Sequence, residues 1–186
     1  MQNGHGGRTG MAVVGAAAAG LLTGIAVNAG RKAMTQAAEA MTGDWLDALK
    51  AEHLMIMELF DEIDTTTPDD VGKRRRLIAR IKAAIDKHAF EEENVVYPAI
   101  RLSESDELAK KLVLEHAEVK TLLYEIESAE PNAPSFMKTV QVLRRALDEH
   151  IREEEDEIFP RLRERLTPEA DARLTLMLHK AGVKLA

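Results

Sequence analysis

One motif occurs twice in this chain, and the repeat constrains the fold more than any other feature. The segment HAFEEENVVYP covers residues 88–98, and HIREEEDEIFP covers residues 150–160. Each segment begins with a histidine, has a glutamate four residues later and ends in an aromatic residue followed by proline. The same shift along the chain brings His53 within one residue of His116. The sequence therefore predicts two copies of one helical hairpin.

Strong helix formers dominate the chain from Asp44 onward, with short breaks rich in proline and threonine between the helical stretches. We expect a short fifth helix over 167–182 after four long ones at about 44–64, 69–97, 104–129 and 135–159. Four long helices with short connections predict an all-α, up-down-up-down four-helix bundle, followed by an extra short C-terminal helix. The predicted domains are the bundle at residues 44–166 and the C-terminal helix at residues 167–186.

Polar residues occupy positions where the core of this bundle is expected. The apolar residues of each predicted helix recur at steps of three and four, which marks a buried face. Six residues that can bind a metal ion fall on these faces: His53, His88, Glu92, His116, His150 and Glu154. Each glutamate lies one turn beyond a histidine, so the two side chains share one side of the helix.

Two buried carboxylates and four imidazoles in mid-bundle indicate a metal centre. An ionised carboxylate in a dry core is costly unless it is paired or bound to a metal. A single buried histidine is more often a hydrogen-bonded core residue, and one His-x-x-x-Glu is a weak signal, but their repetition is hard to explain otherwise. Nitrogen and oxygen donors without thiolate suit iron, manganese or zinc. Two such sets predict a dinuclear centre with Glu92 and Glu154 placed to bridge, and iron is the leading candidate.

These residues and their order resemble the hemerythrin family, specifically the bacterial HHE cation-binding domains. The aromatic-proline pairs Tyr97-Pro98 and Phe159-Pro160 add to the resemblance, which covers roughly residues 45–165. It implies a four-helix bundle around two iron ions with an oxo or hydroxo bridge, able to bind O2 reversibly. It also implies four terminal histidine ligands and two bridging carboxylates, the six residues named above.

One position departs from the family pattern. Oxygen-carrying hemerythrins have a further histidine four residues after the third ligand histidine, where this chain has Lys120. His179 would have to fold back to replace it, but His179 lies outside the repeat and we expect it to serve in packing or at the surface. Four glutamates are candidate helpers, although acidic runs are usually solvated: Glu91, Glu93, Glu115 and Glu153.

Several functions remain compatible with this departure. We expect a binding protein for O2 or another small diatomic or peroxide ligand, or a protein that handles iron. The alternatives are a di-iron enzyme that acts on peroxide or nitric oxide, and a metal-containing interaction module tethered to a membrane. The Glu-x-x-His signature of ferritin-type sites is not present at these histidines. No catalytic residue is predicted.

The N-terminal segment, residues 1–34, is rich in glycine and alanine, and residues 11–29 carry no charge. A helix of this length would span roughly 28 Å, close to the thickness of a bilayer core. Three interpretations stay open: a membrane anchor, a loose or packed hydrophobic helix, and a signal peptide. An anchor would leave the domain in the cytoplasm, and a signal peptide would send it to the periplasm. Gly20 and Gly24 form a GxxxG face for association of two copies.

Charge and cysteine content exclude other classes of function. The formal net charge is −7, which argues against nucleic-acid binding because phosphates require a basic surface. The basic run at residues 73–76 lies in the first turns of a predicted helix, and we interpret it as a solvated face. The chain has no cysteine, so disulfides, thiolate metal sites and cysteine nucleophiles are excluded.

Overall fold

The computed structural model describes residues 43–183, and every regular element in this range is helical. The seven α-helices of this range are α1 (Trp45–Asp64), α2 (Val71–Glu91), α3 (Tyr97–Ser103), α4 (Asp106–Ser128), α5 (Phe136–Glu153), α6 (Phe159–Arg165) and α7 (Pro168–Val183). Two π-helical turns, Glu92–Val96 and Glu154–Ile158, join α2 to α3 and α5 to α6. The predicted N-terminal hydrophobic helix and its Gly20/Gly24 face lie outside the described residues.

The four long helices form a ring in which each packs against two others. Helix α1 packs against α2, and α4 packs against α5, so both predicted hairpins are present. Contacts of α2 with α4 and of α1 with α5 close the ring. The predicted all-α bundle is therefore confirmed. Within the described part of the chain, no helix combines the length and the apolar character needed to cross a bilayer.

Local signals in the sequence fix where the first and third long helices begin. The Asp44 carboxylate accepts hydrogen bonds from the backbone N–H groups of Leu46 and Asp47 at 3.0 and 3.1 Å. The Ser105 hydroxyl accepts one from the N–H of Leu108 at 3.2 Å. Such caps satisfy N–H groups that have no partner inside the helix. They place the start of α1 and of α4 about two turns before His53 and about three turns before His116.

Two apolar clusters fill the bundle, one on each side of the polar centre. Along α1, Trp45 and Leu49 belong to one cluster and Ile56 and Phe60 to the other, with His53 between them. Side chains in both clusters are almost completely buried. Because the apolar layers close the bundle above and below the histidines, they limit the access of water to the centre.

The chain remains helical beyond the two prolines at which the second and fourth helices were predicted to end. Pro98 and Pro160 lie in the first turn of α3 and of α6. Proline is tolerated at a helix start because the N–H it lacks would have no partner there. The predicted ends near residues 97 and 159 were therefore wrong, since each π turn is followed by a new α-helical segment.

Helix α7 is the predicted C-terminal helix, and it covers one end of the bundle. The indole N–H of Trp45 donates a hydrogen bond to Asp171 at 2.8 Å, and the backbone N–H of Trp45 donates to the Thr175 hydroxyl at 3.2 Å. Leu174 and Leu178 are buried in the apolar cluster at that end. These contacts hold α7 against α1 and the first π turn.

Candidate metal centre

The fold brings the six predicted ligand residues together in the middle of the bundle. All six side chains are buried: His53, His88, Glu92, His116, His150 and Glu154. The two glutamates are completely inaccessible to solvent, and the histidines are 2–4% exposed. Their carboxylate oxygens and Nε2 nitrogens form two overlapping groups, each compact enough to hold one metal ion.

The first group contains His53, His88, Glu92 and Glu154. The Nε2 atoms of His53 and His88 are 3.0 Å apart. Glu154 Oε2 lies 3.6 Å and Glu92 Oε1 lies 3.9 Å from Nε2 of His53. Two imidazoles from one hairpin thus face carboxylates from both hairpins.

The second group contains Glu92, His116 and His150. The Nε2 atoms of the two histidines are 3.1 Å apart, and Glu92 Oε2 lies 3.3 Å from Nε2 of His116. Glu154 Oε1 lies 3.4 Å from Nε2 of His150. Both carboxylates therefore reach both groups, which is the arrangement required of bridging ligands.

The donor atoms have the spacing that a metal ion requires, and two of them have no other partner. Bonds of about 2.1 Å put neighbouring donors about 3.0 Å apart around an octahedral ion and about 3.4 Å apart around a tetrahedral one. Glu92 Oε1 and Glu154 Oε2 are buried and have no hydrogen-bond partner. Buried carboxylate oxygens without partners are costly, so the residues present fit a pair of cations.

Two carboxyl groups buried side by side oppose each other electrostatically. Burial and the neighbouring Glu92 carboxylate raise the pKa of Glu154 well above its ordinary value of 4.5. Burial acts in the same direction on Glu92, but the charges and hydrogen bonds of His88 and His116 hold the pKa of Glu92 well below its ordinary value. Cations between Glu92 and Glu154 would stabilise the ionised form of both side chains.

Each histidine is oriented by one of four glutamates that form an outer ring around the centre. Their carboxylate oxygens lie 2.7–3.1 Å from the histidine Nδ1 atoms in the pairs His53–Glu155, His88–Glu52, His116–Glu93 and His150–Glu115. A carboxylate accepts a hydrogen bond, so Nδ1 carries the proton and the Nε2 lone pair points to the centre. Carboxylate–histidine pairs of this kind orient metal ligands and increase their basicity.

This outer ring connects all four long helices. Glu52 and Glu115 directly precede His53 and His116, and each binds the histidine of the other helix in its hairpin. Glu93 and Glu155 directly follow Glu92 and Glu154, and each binds a histidine of the other hairpin. The pairs thus run from α1 to α2, from the first π turn to α4, from α4 to α5 and from the second π turn back to α1. The repeat therefore extends from the ligands to the groups that orient them.

Sequence reasoning identified half of this outer ring. Glu93 and Glu115 were candidate helpers, whereas Glu52 and Glu155 were missed, although a glutamate adjacent to a ligand in both repeats was a usable signal. The other two candidates bind lysines and not ligand histidines: the buried Glu91 pairs with Lys87 at 2.6 Å, and Glu153 pairs with Lys111 nearer the surface.

Charge holds one member of the outer ring firmly ionised. Burial alone would raise the pKa of Glu52, but the hydrogen bond and charge of His88, together with Lys87, lower that pKa to about 2. Glu52 therefore stays a carboxylate at neutral pH, as an acceptor of the His88 proton must.

A tyrosine that the sequence did not predict as a site residue also lies in the centre. The Tyr97 hydroxyl donates to Glu154 Oε1 at 2.8 Å or to Glu92 Oε2 at 3.1 Å. In a regular α-helix, the residue five positions after Glu92 would point about 140° away from it. In the π turn, the Tyr97 N–H bonds instead to the Glu92 carbonyl, five residues back, and returns Tyr97 to the face of the site. The repeated aromatic-proline pair was the available signal.

The remaining candidates lie outside the two metal-binding groups. Lys120, at the position of the fifth hemerythrin histidine, is 46% exposed, and its ammonium pairs with Glu93 at 2.6 Å. His179 is half-buried on α7 and belongs to neither group. Among residues 43–183, the two groups therefore contain four histidines and no fifth one.

Comparison with known proteins agrees with this geometry. The hemerythrin HHE cation-binding domain matches residues 44–162. A DNA nickase from Nostoc sp. is 29% identical over 137 residues, which is 74% of this chain and 38% of the nickase. A hemerythrin-like protein of Schizosaccharomyces pombe is 29% identical over 126 residues, 66% of this chain and 61% of that protein. This chain thus spans about two fifths and three fifths of the lengths of these two relatives.

A solved structure shares the fold. The crystal structure of a hemerythrin HHE cation-binding domain-containing protein from Mycobacterium kansasii has a TM-score of 0.63 and 22% identity, and covers 77% of this chain and 86% of its own. The domain match includes every residue of both metal-binding groups, since they lie between His53 and Glu154. The chain therefore belongs to the family of hemerythrin HHE cation-binding domain proteins.

Proposed function

We propose that this protein binds two iron ions and uses them to bind O2 or a related small ligand. His53 and His88 would hold one ion and His116 and His150 the other, with Glu92 and Glu154 bridging both. The observation that carries the proposal is that both carboxylates lie within 4 Å of imidazoles of both pairs, while Glu92 Oε1 and Glu154 Oε2 have no hydrogen-bond partner. Iron suits imidazole and carboxylate ligands, and manganese and zinc are the weaker candidates.

The surrounding residues support ligand binding in three ways. The outer glutamates keep the protons on Nδ1, so the Nε2 lone pairs face inward. The apolar layers around Ile56 on one side and Leu49 on the other limit the entry of water. The Tyr97 hydroxyl supplies a hydrogen-bond donor within the centre. Bound iron would contribute open coordination positions for a small ligand.

Iron loading followed by ligand addition tests this proposal. Purified full-length chain is loaded anaerobically with ferrous iron, its iron content is measured, and its absorption spectrum is recorded before and after addition of O2. Two irons per chain and a reversible, ligand-dependent spectrum of a bridged di-iron centre are expected. Fewer than two irons, or a spectrum that O2 leaves unchanged, would contradict the proposal.

A di-iron enzyme that acts on peroxide or nitric oxide is the second candidate. It is favoured by Lys120, which stands where a fifth histidine would be expected and binds Glu93 on the outside. Among the described residues, His116 and His150 therefore have no third imidazole in their metal-binding group. A centre with fewer imidazoles offers more open positions to a reacting ligand. Steady-state turnover of the iron-loaded protein with H2O2, compared with stoichiometric binding of O2, distinguishes the enzyme from the binding protein.

DNA nicking, the activity in the name of one relative, is not part of this proposal. The match covers 38% of that nickase, and the net charge of −7 opposes binding to a polyanion. We expect supercoiled plasmid to remain intact with the iron-loaded protein, and conversion to the open circle would contradict this expectation.

A further inference from the structure

The metal centre has two halves, one with His53 and His88 and the other with His116 and His150. The aromatic residues beside these halves differ by one oxygen atom. Tyr97 and Phe159 occupy equivalent positions in the repeat, each as the first residue after a π turn. The Phe159 ring is stacked on His53, with ring centroids 6.4 Å apart and planes 8° apart. The Tyr97 ring lies beside His116, with centroids 5.3 Å apart. A hydroxyl is therefore present in the half with His116 and His150, and its counterpart on the other side has none.

The Tyr97 oxygen is surrounded by donor atoms of the second half. It lies 2.8 Å from Glu154 Oε1, 3.1 Å from Glu92 Oε2, 3.1 Å from His116 Nε2 and 3.4 Å from His150 Nε2. The hydroxyl has one proton, so it can donate to only one of these four atoms at a time. Hydrogen bonding alone gives no reason for four donor atoms to surround one phenol.

These four distances match one vertex of a coordination shell. Around an ion with bonds of about 2.1 Å, a ligand atom lies about 3.0 Å from each cis neighbour in an octahedron and about 3.4 Å in a tetrahedron. An atom at the position of the ion itself would lie about 2.1 Å from each donor. The Tyr97 oxygen has the spacing of a ligand and not that of the ion.

We propose that Tyr97 is a seventh ligand of the centre and binds the iron held by His116 and His150. The inference rests on the proposed di-iron function. It makes the two irons unequal, because the ion at His53 and His88 faces the hydrocarbon ring of Phe159 where the other ion has an oxygen ligand. Tyrosine oxygen is a known ligand of iron in proteins. When ferric iron binds, an oxygen–iron bond replaces the phenolic O–H bond and the proton leaves to the buffer.

Visible absorption and resonance Raman spectra of the ferric protein test the assignment. Iron(III) bound to a phenolate has a charge-transfer band, and excitation in that band enhances tyrosine ring vibrations. The wild-type protein should show both. Tyr97→Phe should lose both while the protein stays folded, because Phe159 fills the equivalent buried position in the other repeat. We expect the affinity of Tyr97→Phe for the iron at His116 and His150 to fall by roughly 10- to 100-fold, as for other changes at a metal site.

The second tyrosine of the chain provides a matched control. The chain has two tyrosines, and Tyr124 is 71% exposed on α4. Tyr124→Phe should leave both spectra unchanged. A wild-type protein with two irons and no tyrosinate vibrations, or a Tyr97→Phe protein that keeps them, overturns the assignment of Tyr97. Failure to bind two irons overturns the proposed function instead, so iron content is measured on every sample.

Discussion

The Nδ1 atom of His53 on α1 lies 2.7 Å from a carboxylate oxygen of Glu155, in the π turn that follows α5. The two residues are far apart in the sequence, and this contact closes the ring of four carboxylate–histidine pairs around the bundle. It fixes the orientation of the imidazole and links the first helix to the last long one. A glutamate outside the candidate ligands therefore helps to define the geometry of the site.

Removal of this outer carboxylate should weaken metal binding while the ligands stay intact. In Glu155→Gln, the amide is a poorer acceptor for the His53 Nδ1 proton, so we expect affinity for the iron at His53 and His88 to fall by roughly 10- to 100-fold. Calorimetric titration of chelator-treated protein with ferrous iron measures the change. Glu149→Gln, at an exposed position of α5, is the matched control and should bind like the wild type. Equal affinities of the two variants would show that the outer ring has no role.

Loss of one histidine should remove metal and stability together. In His150→Ala, the half with His116 loses an imidazole, so iron content should fall below two per chain. Bound metal stabilises only the folded protein, by about 2.7 kcal/mol when its concentration is 100 times its dissociation constant, so the melting temperature should fall as well.

The control for that variant is His179→Ala, because His179 lies outside both metal-binding groups. Iron analysis and thermal unfolding with and without chelator separate the two effects. Unchanged iron content in His150→Ala would remove His150 from the ligand set.

Neutralising a bridging carboxylate should change stability in opposite directions with and without metal. Glu154→Gln relieves the burial of two carboxyl groups side by side, so the chelator-treated variant should be more stable than the wild type by about 1–3 kcal/mol. The same variant should bind less iron and be less stable than the wild type in the presence of iron. Denaturant unfolding under both conditions measures the two changes, and a change of the same sign in both would contradict the bridging assignment.

The stability difference between chelator-treated Glu154→Gln and the wild type should also depend on pH. Because the pKa of Glu154 is raised in the folded protein, the folded state binds more protons than the unfolded state above the ordinary value of 4.5. The contribution of Glu154 to the free energy of unfolding therefore becomes less favourable as pH rises. The stability advantage of chelator-treated Glu154→Gln over the wild type should accordingly be larger at pH 7 than at pH 4.

The lysine at the position of the fifth hemerythrin histidine should contribute little to metal binding. Lys120 forms an exposed ion pair with Glu93, and such pairs contribute about 0–1 kcal/mol to stability. Lys120→Ala should therefore keep two irons per chain and lower the free energy of unfolding by no more than that amount. Glu93→Gln, which removes the carboxylate partner of His116, should lower metal affinity, and the reverse ranking would contradict the proposed roles.

If residues 1–34 anchor the protein, their deletion should change where it is found in the cell. Deletion of residues 1–34 removes the uncharged stretch and leaves the bundle, so a protein anchored by this stretch should move from the membrane fraction to the soluble fraction. Fractionation of cells that express both forms measures this. Mass spectrometry of the full-length form tests the signal-peptide alternative, since a processed protein would lack its N-terminal residues.

Much of the fold and the inner site could be predicted from the sequence because both depend on local periodicity. Helical repeats of three and four residues place His53 and His116 on buried faces, and a spacing of four puts Glu92 beside His88 and Glu154 beside His150. The missing histidine at Lys120 was also visible in the sequence. These properties follow from the geometry of one helix at a time, and the repeat shows which helices correspond.

Only the tertiary structure shows which residues of different helices meet. The pairing of Glu155 with His53, and of Glu93 with His116, depends on the rotation of one hairpin against the other. The spacing of residues within one helix does not determine that rotation. The π turns are a similar case, because a helix with one extra residue in a turn is stable only where packing compensates for its poorer geometry. Those turns bring Tyr97 to the metal site and Phe159 to His53, so the difference between the two halves of the centre arises from packing.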